Sequence, residues 1–157
     1  MAKEAKSTTE DREIVMTRIF NAPRELVFEA WTDPEHIGEW WGPNGFTTTV
    51  YEMDVRPAGV WRYMMHGPDG VDYPNKVVYQ EVIKPERLVY LHGSDDENDP
   101  NQFHVTVTFE KEGKGTRLTM RSVFPSAAFL EEVKKFGAVE GGIQTLNRLE
   151  GHIAKMV

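Results

Sequence analysis

Apolar positions along the chain follow two different periods, and the period changes twice. From Glu13 to Phe20 the run "EIVMTRIF" is dense in β-branched and large apolar residues, which predicts a strand. From Asn21 the step lengthens to three and four. Leu26, Val27, Ala30 and Trp31 recur at helical spacing, Asn21 is placed to cap the helix, and Pro23 sits in a first turn that tolerates proline. Asp33-Pro34 ends that helix and opens a second short one capped by Asp33, with Ile37, Trp40 and Trp41 on its buried side. After Gly45 the pattern becomes alternation. Six further strands are predicted, at 46–55, 60–66, 73–83, 86–93, 102–113 and 115–124. They are separated by "RPAG", "GPDG", Lys84-Pro85, the acidic loop "SDDENDPN" and "EGKG". From Ser126, a plausible cap preceded by Pro125, the helical period returns. Val139, Gly142, Ile143, Leu146, Leu149, Glu150 and Ile153 mark one face of a long helix.

Strands in hairpin succession with short turns make an antiparallel sheet, and such a sheet has one face to bury. The terminal helix is the element long enough to cover it. The expected fold is therefore α+β: a curved antiparallel sheet of about seven strands wrapped around a long C-terminal helix, with two short helices after the first strand. A bent sheet and a straight rod do not mesh completely, so the space between them is where function is sought. The 157 residues suit one domain, 12–157, preceded by a polar stretch, 1–11, read as a mobile tail.

Composition narrows the function classes. The chain is 39% hydrophobic and 27% charged, as expected of a globular domain, with a net charge of −7 and no basic stripe, which argues against a nucleic-acid partner. It holds no cysteine, which excludes disulfides, thiolate nucleophiles and cysteine metal sites. No apolar run approaches the ~20 residues of a membrane span, and the N-terminus lacks the apolar core of a signal peptide. A cytoplasmic setting, as monomer or homodimer, is the expectation. The acidic loop lacks the positions of a calcium-binding loop, and "GPDG" and "GKG" are turns rather than nucleotide motifs.

The stretches "FNAPRELVFEAWTDPE", "WWGP", "DVRPAGVWRYMMHGPDG", "PERLVYLH", "HVTVTFE", "GTRLTMR" and "LNRLEGHI", spread from Phe20 to Ile153, resemble the START-like, helix-grip (SRPBCC) superfamily. The nearest branch is that of the activator of heat-shock protein 90 ATPase homologues. The resemblance implies a deep apolar cavity between sheet and helix, without fixing a chemistry. Members of the superfamily include co-chaperone domains, lipid carriers, aromatases and cyclases. Two positions depart from the branch. Its members commonly carry Gly-Trp where this chain has Gly141-Gly142, and tend to carry Gly-Gly where it has Ala58-Gly59. Two glycines inside a helix cost roughly 1 kcal/mol each relative to alanine. Either Gly142 enlarges the cavity, or a kink, close packing or a neighbouring side chain offsets it.

Alternation places Trp61, Tyr63 and Met65 on one strand face, and likewise Leu88, Tyr90 and His92. Phe103, Val105, Val107 and Phe109 form a third row, and Leu118, Met120 and Ser122 a fourth; apolar content turns all four inward. Buried hydroxyls and imidazoles such as Tyr63, Tyr90 and His92 need partners, which a ligand or water can supply. Trp41 is assigned to the cavity mouth and Trp40 to the first strand and sheet edge, or the two exchanged, with "GPNG" as a flexible lid; the alternative is that both rings pack under the short helices as a hydrophobic plug. The expected lining is Trp41, Met53, Trp61, Tyr63, Met65, Tyr90, His92, Phe103, Val105, Met120, Phe136 and Gly142. Binding of a small, mostly apolar molecule, with no cofactor, is the leading reading. A cyclase-, aromatase- or hydrolase-like enzyme would need Tyr63, His92 and Glu140 to converge. Arg148 or a surface lysine is the competing salt-bridge partner for Glu140. The five histidines show no HExxH or other tight metal spacing, so no metal is expected. A co-chaperone is the third reading, with no ATPase stimulation expected because the chain has no room for the eukaryotic activator's additional N-terminal domain.

Overall fold

The computed structural model describes residues 10–94 and 99–156. Most of the stretch read as a tail, and the middle of the acidic loop, lie outside the described residues. Glu10–Arg12, partly assigned to that tail, forms a single 3-10 turn. Seven strands follow the predicted order: β1 Glu13–Phe20, β2 Thr47–Met53, β3 Val60–His66, β4 Asp72–Ile83, β5 Arg87–Gly93, β6 Phe103–Glu112 and β7 Gly115–Val123. Helices α1 (Arg24–Thr32) and α2 (Pro34–Trp40) connect β1 to β2, and α3 (Ala127–Lys135) and α4 (Ala138–Met156) end the fold.

The strands make one antiparallel sheet in the order β1-β7-β6-β5-β4-β3-β2. Consecutive strands from β2 to β7 form a meander, and β1 closes onto β7, with Met16 opposite Met120 and Ile14 opposite Ser122. This pairing carries the first and last strands to one side of the sheet, so α1 and α2 must cross its inner face to deliver the chain to β2 at the far edge. Both short helices are covered on their apolar sides. Val27, Phe28, Ala30, Trp31, Ile37 and Trp40 are buried.

The local chemistry of the helix ends explains most boundaries. Asp33 accepts from Glu35 N and caps α2, and Ser126 accepts from Phe129 N and caps α3. Asn21 does not cap α1. That helix starts at Pro23, whose carbonyl receives the amides of Leu26 and Val27. The expected single terminal helix is two helices, because Gly137 takes a left-handed φ of 82° after α3. The apolar stripe is also narrower than predicted. Leu146, Leu149 and Ile153 are buried, whereas Val139 and Ile143 are exposed. Glu150 accepts a hydrogen bond from Arg18, which also donates to Asn147 Oδ1.

Trp40 packs on the preceding helix. Its indole N–H donates to the Ala30 carbonyl at 3.0 Å, and its ring meets Trp31 edge-on at 5.0 Å. The "GPNG" segment is fastened, not free. Arg148 donates to the carbonyls of Gly42 and Pro43 at 2.8 and 2.9 Å, and Asn44 N donates to Gln144 Oε1. The ring of Pro43 lies 3.8 Å from where a side chain on Gly141 would begin, an ordinary contact distance, so the loop packs on this turn of the helix without requiring glycine there.

At the turn between β2 and β3, Ala58 has φ 69°, in the left-handed region that disfavours a Cβ. An alanine held there costs on the order of 1 kcal/mol. Ala58→Gly is expected to raise stability by up to about 1 kcal/mol, the relief being partly offset by the greater freedom of an unfolded glycine. Urea denaturation reads this as a higher midpoint at unchanged m-value. A lower midpoint would show that the Ala58 methyl contributes more packing than strain.

Candidate functional site

The inner face of the sheet carries an apolar cavity of about 220 Å³, roofed by the N-terminal part of α4 and the end of α3. Register explains its floor. Ile14 lies opposite Ser122, Ser122 opposite Val105, and Val105 opposite Tyr90, so one rank of side chains crosses four strands. Met16 and Met120 form part of the rank on one side, His92 and Phe103 that on the other. Phe124 stacks on Phe103 at 4.8 Å and closes the end. Val133, Ala138 and Gly142 supply the roof, and Trp41 the side wall.

Gly142 answers the question its helical position raised. A Cβ built there would lie 2.5 Å from Met16 Cε and 2.7 Å from Met16 Sδ. The thioether therefore occupies the space a larger residue would need, while the glycine backbone remains on the cavity wall. A methionine packed against a glycine is an adaptable boundary, because Met has three rotatable bonds and no branch.

Beneath Trp41 lies an aromatic cluster. Trp31, Trp40 and Trp41 meet pairwise edge-on at 5.0 to 5.7 Å, and Trp41 meets Trp61 at 5.1 Å. Trp61 stacks on Tyr63 at 4.4 Å. Each pair adds roughly 0.5–1.5 kcal/mol beyond burial of area. The paired indoles are thus explained by position. Trp40 ends α2 and Trp41 follows it in extended backbone, so the two rings diverge, Trp40 into the α1–α2 junction and Trp41 between cluster and cavity.

The polar groups of the site form one chain. Tyr63 Oη lies 2.9 Å from His92 Nε2, Asn75 Oδ1 lies 3.1 Å from the same nitrogen, and Asn75 Nδ2 donates to the Tyr73 carbonyl. Burial lowers the His92 pKa to about 4, so the imidazole is neutral near pH 7. Burial also pushes the Tyr63 and Tyr90 hydroxyls up; indoles of Trp41 and Trp31, respectively, oppose the shift only in part. Tyr90 Oη has no hydrogen-bond partner among the described residues.

Of the residues expected to line a cavity, Trp41, Tyr90, His92, Phe103, Val105, Met120 and Gly142 are on its wall. The other five are not. Trp61 and Tyr63 are fully buried one layer deeper, and Met53 packs against that core. Met65 faces a separate surface hollow with Phe46 and Tyr73. Phe136 ends α3 at the interhelical break and is 88% exposed. Ile14, Met16, Ser122, Phe124, Val133 and Ala138 were missed. For Ile14 and Met16 the signal existed in the alternation of β1, but Val15 and Ile19 blur it by being apolar on the solvent side. The acid–base trio does not assemble. Tyr63 and His92 touch, while Glu140 is exposed on α4, and Arg148 is engaged by the Gly42 and Pro43 carbonyls.

A second polar cluster, invisible to spacing rules, lies outside the cavity. Glu29, Asp33 and His36 place ligand-type atoms within 4.8 Å of one another. These atoms already serve the fold. Asp33 caps α2, and His36 lies between Glu29 at 3.5 Å and His152 at 2.9 Å. Burial and the neighbouring His36 lower the His152 pKa.

The depressed pKa of His92 makes stability pH-dependent. The unfolded imidazole titrates near 6.5 and the folded one near 4, so between these values the unfolded state binds more protons. Stability then rises with pH across that window, and lowering the pH through it removes at most about 3 kcal/mol. His92→Gln is expected to flatten the slope of unfolding free energy between pH 4 and 6.5. Equal slopes in the two proteins would show that His92 is not the group responsible.

Comparison with known proteins places the chain. Residues 21–154 match the family described as activator of Hsp90 ATPase homolog 1-like protein. A comparison with curated proteins finds no match. Among solved structures, protein Ms6760 from Mycobacterium smegmatis is 28% identical with a TM-score of 0.82, over 91% of each chain. Protein CV1439 from Chromobacterium violaceum is 26% identical with a TM-score of 0.80, over 90% of this chain and 96% of its own. The AHSA1 protein from Silicibacter pomeroyi, 21% identical, shares the fold with a TM-score of 0.75 over 92% of this chain and 99% of its own. With the match running from the first helix almost to the end of the last, the chain belongs to the activator of Hsp90 ATPase homolog 1-like family.

Proposed function

We propose that this protein binds a small, mostly apolar molecule between its sheet and its terminal helices. The observation that carries the reading is the cavity of about 220 Å³, walled almost wholly by aliphatic, aromatic and thioether side chains. An apolar cavity of roughly 150 Å³ stays dry and takes up benzene, so this one suits a substituted ring or two fused rings. Burial of apolar area at roughly 25 cal/mol per Å² supports micromolar binding when the cavity is preformed. Family membership is compatible with this reading and does not specify a ligand.

The geometry favours binding over catalysis. His92 and Tyr63 hydrogen-bond to each other and to Asn75, and no carboxylate or cationic side chain stands on the cavity wall. The histidine has a low proton affinity, and the groups that orient it, Asn75 and Tyr63, are neutral, so no carboxylate raises it toward a general base.

Gly142→Trp tests the proposal, because it projects an indole from the roof into the cavity. The variant is expected to fold, with Met16 displaced and the cavity filled. In a thermal-shift screen of one- and two-ring aromatic compounds, wild type should gain stability with ligand concentration, by about 2.7 kcal/mol at one hundred times Kd. Gly142→Trp should gain none. Equal stabilisation of both proteins would place binding elsewhere, and no stabilisation of wild type by any compound would remove the reading.

A further inference from the structure

Three polar residues, His92, Tyr90 and Ser122, line the apolar cavity, and the hydrogen bonds behind them determine what each can do. Asn75 comes first. Its Nδ2 donates to the Tyr73 carbonyl at 2.9 Å, which fixes the amide so that Oδ1, a pure acceptor, faces His92 Nε2. The reversed amide would set two acceptors against each other at Tyr73. An acceptor 3.1 Å from Nε2 requires that nitrogen to carry the proton. Tyr63 Oη, 2.9 Å from the same nitrogen, then shares that proton as an acceptor. In a neutral imidazole the other nitrogen, Nδ1, holds a bare lone pair. No described residue donates to it. His92 stands on the wall of the apolar cavity, so the described residues leave an acceptor there without a donor.

The two remaining polar groups lie on the neighbouring rank of the floor. Tyr90 Oη has no hydrogen-bond partner among the described residues. The nearest candidate, the Trp31 indole N–H, is likewise unpaired and lies outside hydrogen-bond geometry. Ser122 is buried opposite Val105, and no described residue bonds its hydroxyl. A buried polar group without a partner costs about 1–3 kcal/mol, and Tyr90 Oη bears that cost beside a space where a ligand can relieve it. Charge is the second constraint. The wall has no Lys, Arg, Asp or Glu, so an ionised ligand would lose its hydration with nothing to replace it.

From these constraints we infer that the cavity selects neutral one- or two-ring molecules that carry a hydrogen-bond donor, a hydroxyl or N–H, given to His92 Nδ1. Phenol-like, enol-like and indole-like compounds belong to this class; carboxylates do not, and hydrocarbons and ethers fit the space but leave the acceptor unmet. The inference rests on the binding function proposed above and adds the polarity and charge of the ligand to it. It also gives the Asn75–Tyr73 contact a role, because that contact sets which imidazole nitrogen faces the ligand.

Four compounds of one shape separate the possibilities: naphthalene, 2-methoxynaphthalene, 2-naphthol and 2-naphthoate, titrated into the full-length protein at pH 7 by calorimetry or fluorescence. The expected order is 2-naphthol about tenfold tighter than naphthalene and 2-methoxynaphthalene, equivalent to one net hydrogen bond of about 1.4 kcal/mol, with 2-naphthoate not bound. In His92→Phe the advantage of naphthol should vanish while naphthalene still binds. A readout on the unaltered protein guards against misfolding of that variant. In ¹⁵N-histidine NMR, His92 should show the Nε2–H tautomer, with its unprotonated Nδ1 signal shifted by 2-naphthol and not by 2-methoxynaphthalene. Naphthol binding no tighter than the ether, an Nδ1 resonance unmoved by it, or preferential binding of naphthoate would each overturn the inference and leave the cavity reading intact. Failure of all four compounds to bind would instead count against the binding function itself.

Discussion

Everything in this fold depends on how the terminal helix is fastened to the sheet. Its C-terminal half is closed down by Leu146, Leu149 and Ile153, and locked at the rim by Arg18 reaching from β1 to Asn147 and Glu150. Its first turns carry the cavity roof at Ala138 and Gly142, and its middle is tied to the loop before β2. Arg148 and Gln144 bind the loop after Trp41, and the loop in turn rests on the indole cluster that fills the space between helix and sheet. A rod tied down at one end and propped at the other leaves a wedge, and the cavity is that wedge. Gly137 allows the chain to turn so that α3 closes the open side with Val133.

The unpaired buried groups give the arrangement its character. Tyr79 and Tyr90 hydroxyls and the Trp31 and Trp61 indole nitrogens lack partners among the described residues, at roughly 1–3 kcal/mol each. A domain whose net stability is roughly 5–15 kcal/mol cannot carry many such groups without compensation. Here the compensation is the density of aromatic contacts running from Trp31 through Trp41 to Tyr63. Groups wholly inside that cluster, such as Trp61 Nε1, are structural expenses. Tyr90 differs, because its side chain also reaches the cavity.

The fold was legible because its signals are periodic. Six of the seven strands follow a helix-to-strand or turn-to-strand change of period, and their inward rows are those alternation predicts. Depth was not legible. Trp61, Tyr63 and Tyr90 all face inward, yet only Tyr90 borders the cavity. Which rank of a sheet a helix covers depends on β1 pairing with β7, a contact between residues as far apart in the chain as Glu13 and Val123 that no local pattern encodes. Phe136 shows the opposite failure. A large aromatic near a helical stripe reads as core, but the break at Gly137 carries it to the surface. Met16 was missed because β1 is apolar on both faces, and Glu140 was overvalued because it stands two residues from Ala138 and from Gly142, a turn of about 200° that moves a side chain from roof to solvent.

The same geometry explains how one family fold can serve unrelated ligands. The cavity's floor is set by strand register, which cannot slip without turning every inward residue out. Its roof is set by a few side chains on α3 and α4, and position 142 is the one with most leverage. A tryptophan there would fill the wedge; a glycine yields the space to Met16, whose thioether end can move without disturbing the backbone. Helix propensity opposes two successive glycines by roughly 2 kcal/mol. A Cβ on Gly141 would meet the Pro43 ring at 3.8 Å, an ordinary contact, so the loop does not demand glycine there, whereas at Gly142 the space is taken by Met16. The cost at position 142 is thus tied to the volume of the cavity, because the first turns of α4 must remain clear of the sheet.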